Sequence, residues 1–164
     1  MSSRAAIVQS NYRVYESIDH LSSEDQALLS KARAVSENAY APYSGFRVGA
    51  AAIMAGGSIV TGTNQENASY PIGICAERVL LAAVSSIAPS ESISVMAISY
   101  QSDEVDSSKP VAPCGMCRQS LVEFENRYSK PMRLLLSGSE GEVYEFDSVS
   151  ELLPFSFKAE NLGK

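Results

Sequence analysis

The three cysteines constrain this chain more than any other feature, because an odd number cannot close into a complete disulfide framework. Two of them, Cys114 and Cys117, form a C-x-x-C pair, and Cys75 precedes that pair by 39 positions. The opening stretch M-S-S-R-A-A-I-V-Q-S has no apolar core of the kind a secretory signal carries. A reduced, cytoplasmic protein is therefore expected, in which C-x-x-C reads as metal or redox chemistry before it reads as structure. The N-x-S match at Asn67 and Ser69 has no glycosylation role in that compartment. No run of about 18 apolar residues occurs, so no association with a membrane is expected.

Residues 1–164 are expected to form one domain, since 45% apolar and 20% charged residues are ordinary globular proportions. A domain of this size buries enough surface to stand without disulfides. The first helix should begin near Ser23, where S-E-D-Q offers a capping box with Gln26 reaching back. Leu28, Leu29, Ala32, Val35 and Ala39 follow at helical spacing, and Tyr40-Ala41-Pro42 should end the helix. Apolar runs at 46–54, 58–62, 93–100, 132–136 and 142–146 read as strands, the first two joined by an Ala55-Gly56-Gly57 turn. Further helices should start near Cys75, after the turn-forming Tyr70-Pro71-Ile72-Gly73, and at Cys114, behind Pro113. Five strands with helices between them predict an α/β fold, a three-layer α/β/α sandwich around a mixed sheet. Residues 101–109 read as an acidic surface loop. The apolar closing stretch L-L-P-F-S-F is expected to pack against something.

The same helix starts suggest how the cysteines are used. Cys114 and Cys117, at i and i+3 in a first turn, can converge on one ion, and Cys75 at the head of another helix can supply a third ligand. Three thiolates suit zinc, and three protein ligands are the mark of a catalytic site whose fourth position is left to water. The one histidine, His20, lies in a polar stretch and reads as a surface residue. Glu77, two residues beyond Cys75, can shuttle protons beside that water without ligating the metal. Read with P-C-x-x-C, it matches the signature of zinc deaminases, cysteine replacing their histidine ligand. Three thiolates on zinc carry a net charge of −1. The two helix N-termini and Arg78 or Arg118 are candidates to offset it.

N-Q-E-N-A at 64–68, Y-P-I-G-I-C-A-E-R at 70–78, P-C-G-M-C-R-Q at 113–119, L-L-P-F-S-F at 152–157 and Y-S-G-F-R-V-G-A at 43–50 together resemble the small homotetrameric zinc cytidine deaminases. The resemblance runs from the first helix to about Phe157. It implies one zinc ion per subunit on Cys75, Cys114 and Cys117, with Glu77 as the proton carrier and Arg78 offsetting thiolate charge. It further implies Asn64 and Glu66 on the ribose 3'-hydroxyl, Phe46 packed on the nucleoside and backbone contacts from Ala76 to the pyrimidine. Tyr70 and Phe157 match positions that the family uses across subunit boundaries. Three features depart from the pattern: Gln65 between the ribose positions, Phe155 in place of a small residue, and a longer acidic loop before Val111.

The implied reaction is hydrolytic deamination of cytidine and 2'-deoxycytidine in pyrimidine salvage. A formal charge of −6 opposes binding to a polynucleotide, which leaves a small nucleoside as the expected partner. Other readings of the same residues are an aminohydrolase for a modified cytosine nucleoside or cytosine-containing antibiotic, and a noncatalytic zinc-stabilised interaction module. A redox C-x-x-C fits less well beside a third cysteine.

Overall fold

The computed structural model describes residues 3–163, so Met1, Ser2 and Lys164 of the expected domain lie outside the described residues. Six strands form one sheet: β1 (Arg13–Tyr15), β2 (Phe46–Met54), β3 (Ile59–Thr63), β4 (Ile93–Ser102), β5 (Arg133–Ser137) and β6 (Val143–Phe146). Their order is β1-β6-β5-β4-β2-β3. The β4–β5 pair is parallel and every other pair antiparallel, so the sheet is mixed.

Six strands correct the expectation of five. The additional one, β1, is too short to show a periodicity. It pairs along the outer edge of β6, setting Arg13 opposite Glu145 and Val14 opposite Tyr144. Side chains reinforce that backbone pairing. Glu145, buried at 6% exposure, accepts from the Arg13 Nε at 3.2 Å and the Tyr15 hydroxyl at 2.7 Å. Just before the strand, the Tyr12 ring stacks on Phe146 at 5.3 Å. Arg133 Nε lies 3.4 Å from Glu145 as an ion pair without hydrogen-bond geometry, while its Nη2 donates to Asp25 at 2.6 Å. Glu145 is thus the shared acceptor that fastens the N-terminal strand. Glu145→Ala should destabilise the fold by about 1–3 kcal/mol, read as a lower midpoint in thermal denaturation followed by circular dichroism. An unchanged midpoint would show that the bonds to Glu145 do not contribute to holding β1.

Helix α1 (Ser23–Ser36) covers one face of the sheet, with Leu28, Leu29 and Ala32 packed on Ala51, Val95, Ala97 and Leu135. Helices α2 (Ala76–Ile87) and α3 (Gly115–Tyr128) cover the other. There Leu80, Val84, Leu121 and Phe124 pack on Ala50, Ala52, Met96 and Leu134. Alternate residues of β2 and β4 serve opposite cores, which is why these strands read as unbroken apolar runs. At Gly62 a β-carbon would sit 2.6 Å from the Ala76 carbonyl oxygen and from Leu80 N. The missing side chain lets the first turn of α2 lie directly on β3.

Two local expectations shift. The cap of α1 is Ser22, whose hydroxyl accepts from Asp25 N at 3.2 Å, and Gln26 instead donates to the Leu21 carbonyl. The helix ends at Ser36, short of Tyr40, because the Tyr40 backbone bonds to the segment at 64–66 in place of another helical turn. The closing stretch buries Leu152 at 9% exposure but leaves Phe155 91% and Phe157 58% exposed. Pro154 and a left-handed Phe155, at φ 60°, turn those rings away from the chain's own core. His20 is exposed, as expected.

Candidate metal centre and nucleoside cavity

The two cysteine-bearing helices meet at their N-termini. Cys75 is the residue before α2 and Cys114 the residue before α3, both in extended conformation, and neither thiol is spent on capping its helix. Cys117 lies one turn into α3 and is fully buried. All three sulfurs lie within 4.8 Å of one another, and Cys75 Sγ is 3.9 Å from Cys114 Sγ. A disulfide would need about 2.05 Å, whereas tetrahedral zinc with 2.3 Å bonds sets its sulfurs about 3.8 Å apart. The trio therefore fits zinc in spacing, softness and number. Hydrogen bonding with Cys117 is the main influence lowering the Cys75 pKa to about 6, while Cys117 is pushed up by the same contact and by burial. A bound metal strips such a thiol of its proton outright.

Glu77, one helical position beyond Ala76, is 5% exposed and faces the same cavity as Cys75 and Cys114. Burial raises its pKa above the ordinary carboxylate value, opposed by its own backbone N–H, by Cys117 and by the charge of Arg78. Arg78 acts on Cys75 through charge as well, with no hydrogen bond from its guanidinium to sulfur among the described residues. Arg118 is occupied elsewhere, donating to the carbonyls of Pro113 at 2.7 Å and Leu152 at 3.1 Å. Of the two arginine candidates, Arg78 is therefore the one whose charge reaches the thiols.

The cavity, about 400 Å³, is lined by Ser44, Phe46, Asn64, Glu66, Cys75 and Glu77 together with Tyr100, Val111, Ala112, Pro113 and Cys114. Residues 64–66 are pinned from both flanks, Tyr40 bridging to Gln65 and Gln65 to Ile74. Side chains two apart on such an extended segment share a face, which brings Asn64 and Glu66 into the cavity together. Asn64 also braces β2: its amide donates to the Phe46 carbonyl at 2.9 Å and its oxygen accepts from Val48 N at 2.7 Å. One amide N–H remains for a ligand. Glu66 accepts from the Ser44 hydroxyl and from the backbone N–H groups of Tyr43 at 2.9 Å and Ser44 at 3.3 Å. Those bonds, the Ser44 hydroxyl first, hold its pKa below the usual carboxylate value.

Ala76 is fully buried between Cys75 and Glu77. Tyr70 does not line this cavity; it is 73% exposed and borders a second pocket that shares Ser44, Asn64, Glu66 and Cys75, its ring 5.7 Å from that of Tyr43. Phe157 does not line the cavity of its own chain, although Gln119 donates to its carbonyl at 2.8 Å. Gln65 donates to the Thr63 hydroxyl at 3.0 Å. Sequence reading missed Ser44 and Tyr43, which hold Glu66, and Tyr100. The first two sit in a motif noticed for other reasons. Tyr100 enters only through the register of β2 with β4, which places it opposite Val48.

A thiol trio suited to a metal and a buried acid opening into one cavity place the chain among metal-dependent hydrolases. The comparisons with known proteins narrow that class. Residues 22–129 match the family described as the cytidine and deoxycytidylate deaminase zinc-binding region. A cytidine deaminase of Halalkalibacterium halodurans is 39% identical over 138 residues, covering 84% of this chain and 97% of that protein. Another, of Sporosarcina psychrophila, is 35% identical, covering 84% and 94%. The crystal structure of cytidine deaminase from Burkholderia pseudomallei superposes with a TM-score of 0.69 at 34% identity, covering 84% of this chain and all of that one (100%). The chain belongs to the cytidine deaminase family. Among the described residues no helix is long and apolar enough to cross a membrane.

Proposed function

We propose that this chain is a single-domain, zinc-dependent enzyme that hydrolyses cytidine and 2'-deoxycytidine to uridine and 2'-deoxyuridine, releasing ammonia in pyrimidine salvage in the cytoplasm. The observation that carries the reading is the joint presence of Cys75, Cys114, Glu77, Asn64 and Glu66 around one cavity. Cys75, Cys114 and Cys117 hold one zinc ion, and zinc, when bound, supplies Lewis-acid polarisation that brings the pKa of the attacking water from 15.7 toward about 7. Glu77 takes the proton from that water and gives it to cytosine N3 as the water oxygen bonds to C4. It then carries the second proton to the amine as the C4–N4 bond breaks, so one carboxylate serves as base and acid in turn. Burial suits this work, because a carboxylate with a raised pKa is a better proton acceptor than an exposed one.

Phe46 packs on the nucleoside and the Ala76 backbone meets the pyrimidine. Asn64 offers its remaining N–H, and Glu66 accepts from the ribose 3'-hydroxyl. Because Glu66 is held in its charged form, a 3'-phosphate at the same place meets like charge at short range. Ammonia release is therefore expected from cytidine and 2'-deoxycytidine but not from cytidine 3'-monophosphate or a short single-stranded oligonucleotide. Comparable rates on all four would remove Glu66 from the sugar site. The exposure of Phe157 and Tyr70 supports a homotetramer in which a neighbour's Phe157 closes the cavity beside Tyr70. Arg78 offsets the charge of the thiolates.

A further inference from the structure

Tyr100 has a role that none of the site residues named above supplies. It lies on β4, 5% exposed, with its ring stacked on Phe46 at 4.7 Å between centroids and 14° between planes. Both rings line the cavity that holds Cys75, Glu77 and Cys114. The far end of the same side chain reaches away from the cavity into the connection between β4 and α3. There the hydroxyl lies 2.9 Å from the Lys109 carbonyl and 3.1 Å from the Asp106 carbonyl. Burial, and the nearby Asp106, push its pKa further up, so the hydroxyl stays a donor at any working pH.

The connection it grips is built to be held. Ser102 N donates to the Ser107 hydroxyl at 3.2 Å, and Glu142 N donates to the Ser108 carbonyl at 3.2 Å. At Gly138 a β-carbon would fall 1.7 Å from the Ser107 carbonyl oxygen, so the absence of a side chain there lets the loop lie directly on the end of β5. Two residues past Lys109 the same chain becomes a cavity wall, Val111, Ala112 and Pro113, and then presents Cys114. One side chain thus links two parts of the cavity lining: its ring stacks on Phe46, and its hydroxyl holds the loop that leads into Val111, Ala112 and Pro113.

We propose that Tyr100 is a positioning residue that fixes the 111–113 segment of the cavity lining relative to Phe46, and so governs nucleoside affinity and the exclusion of cytidines enlarged at the base. The proposal rests on the cytidine deaminase reading. It assigns Tyr100 no part in proton transfer, so its mark is a change in KM and in discrimination with little change in kcat. Losing one hydrogen bond to a fixed wall corresponds to roughly a three- to tenfold effect.

The test compares wild-type zinc-loaded enzyme with Tyr100→Phe, which keeps the stacked ring, and Tyr100→Leu, which loses ring and hydroxyl. The readouts are kcat and KM for cytidine and for 5-methylcytidine and N4-methylcytidine, with zinc measured per chain. Tyr100→Phe is expected to raise KM for cytidine about three- to tenfold with kcat within about twofold, and to narrow the gap between cytidine and the methylated nucleosides. Tyr100→Leu should raise KM further. Unchanged KM and discrimination in Tyr100→Phe would overturn the proposal, as would a loss confined to kcat or one that tracks lost zinc. Absence of cytidine turnover in the wild-type enzyme would instead overturn the underlying activity, so the two failures are distinguishable.

Discussion

Glu77→Gln should retain zinc and bind cytidine with near wild-type affinity, yet lose at least about 10²- to 10⁴-fold in kcat, the range that general acid–base catalysis contributes. Glutamine keeps the shape of the side chain and its place at the cavity, so the thiol trio and the sugar-binding residues are left intact. What it cannot do is take a proton and give it back. Both halves of the proposed reaction depend on that: the attacking water must lose a proton and the departing amine must gain one, and Glu77 is the buried carboxyl group that lines the cavity beside two of the three thiols. Because one group serves both steps, the loss should appear in kcat rather than in KM. Isothermal titration of cytidine into Glu77→Gln separates the two quantities. Near-normal turnover at full zinc occupancy would remove Glu77 from the proton path.

Cys117→Ala should be the other severe change, abolishing activity to below about one part in 10³ together with the bound metal. Cys117 is fully buried against the two other thiols, so its removal leaves two ligands and a pocket that nothing else fills. Two ligands do not hold zinc against competition from solvent and buffer at ordinary concentrations, since affinity in such sites is built from the full donor set. Metal analysis should read near zero zinc per chain. A chelator applied to the wild-type enzyme should reproduce the loss, and added zinc should restore activity to the wild type but not to the variant. Retained activity in metal-free Cys117→Ala would show that the trio is structural. His20 does not replace the lost ligand, because it lies in a short turn before α1 and outside the group of side chains whose ligand atoms converge on the site.

Much of the metal site was legible in the chain because its determinants are local. A cysteine at a helix start, a second cysteine three residues into another first turn, and a carboxylate two residues from a ligand are all short-range patterns, and the helices α2 and α3 begin where those patterns put them. The apolar strands were legible for the same reason. What escaped depends on contacts between distant segments. β1 forms only because β6 offers a free edge and Glu145 a shared acceptor for Arg13 and Tyr15. Asn64 was read as a sugar ligand, and its bonds to the backbone of Phe46 and Val48 add a bracing role that no spacing rule suggests. The partnership of Phe46 with Tyr100 follows from strand register across 54 positions of chain. The apolar tail was expected to pack, and within one chain Phe155 and Phe157 do not. Those exposed rings are the surface that the proposed homotetramer would cover.

A zinc enzyme acting on free cytidine nucleosides must show metal and activity in the same sample. The most direct measurement is ammonia release from cytidine by purified, metal-replete protein, with zinc quantified per chain in the same sample. The expected result is about one zinc per chain and sustained conversion of cytidine to uridine that disappears when the zinc is removed. Full zinc occupancy with no deamination of cytidine or 2'-deoxycytidine would contradict it.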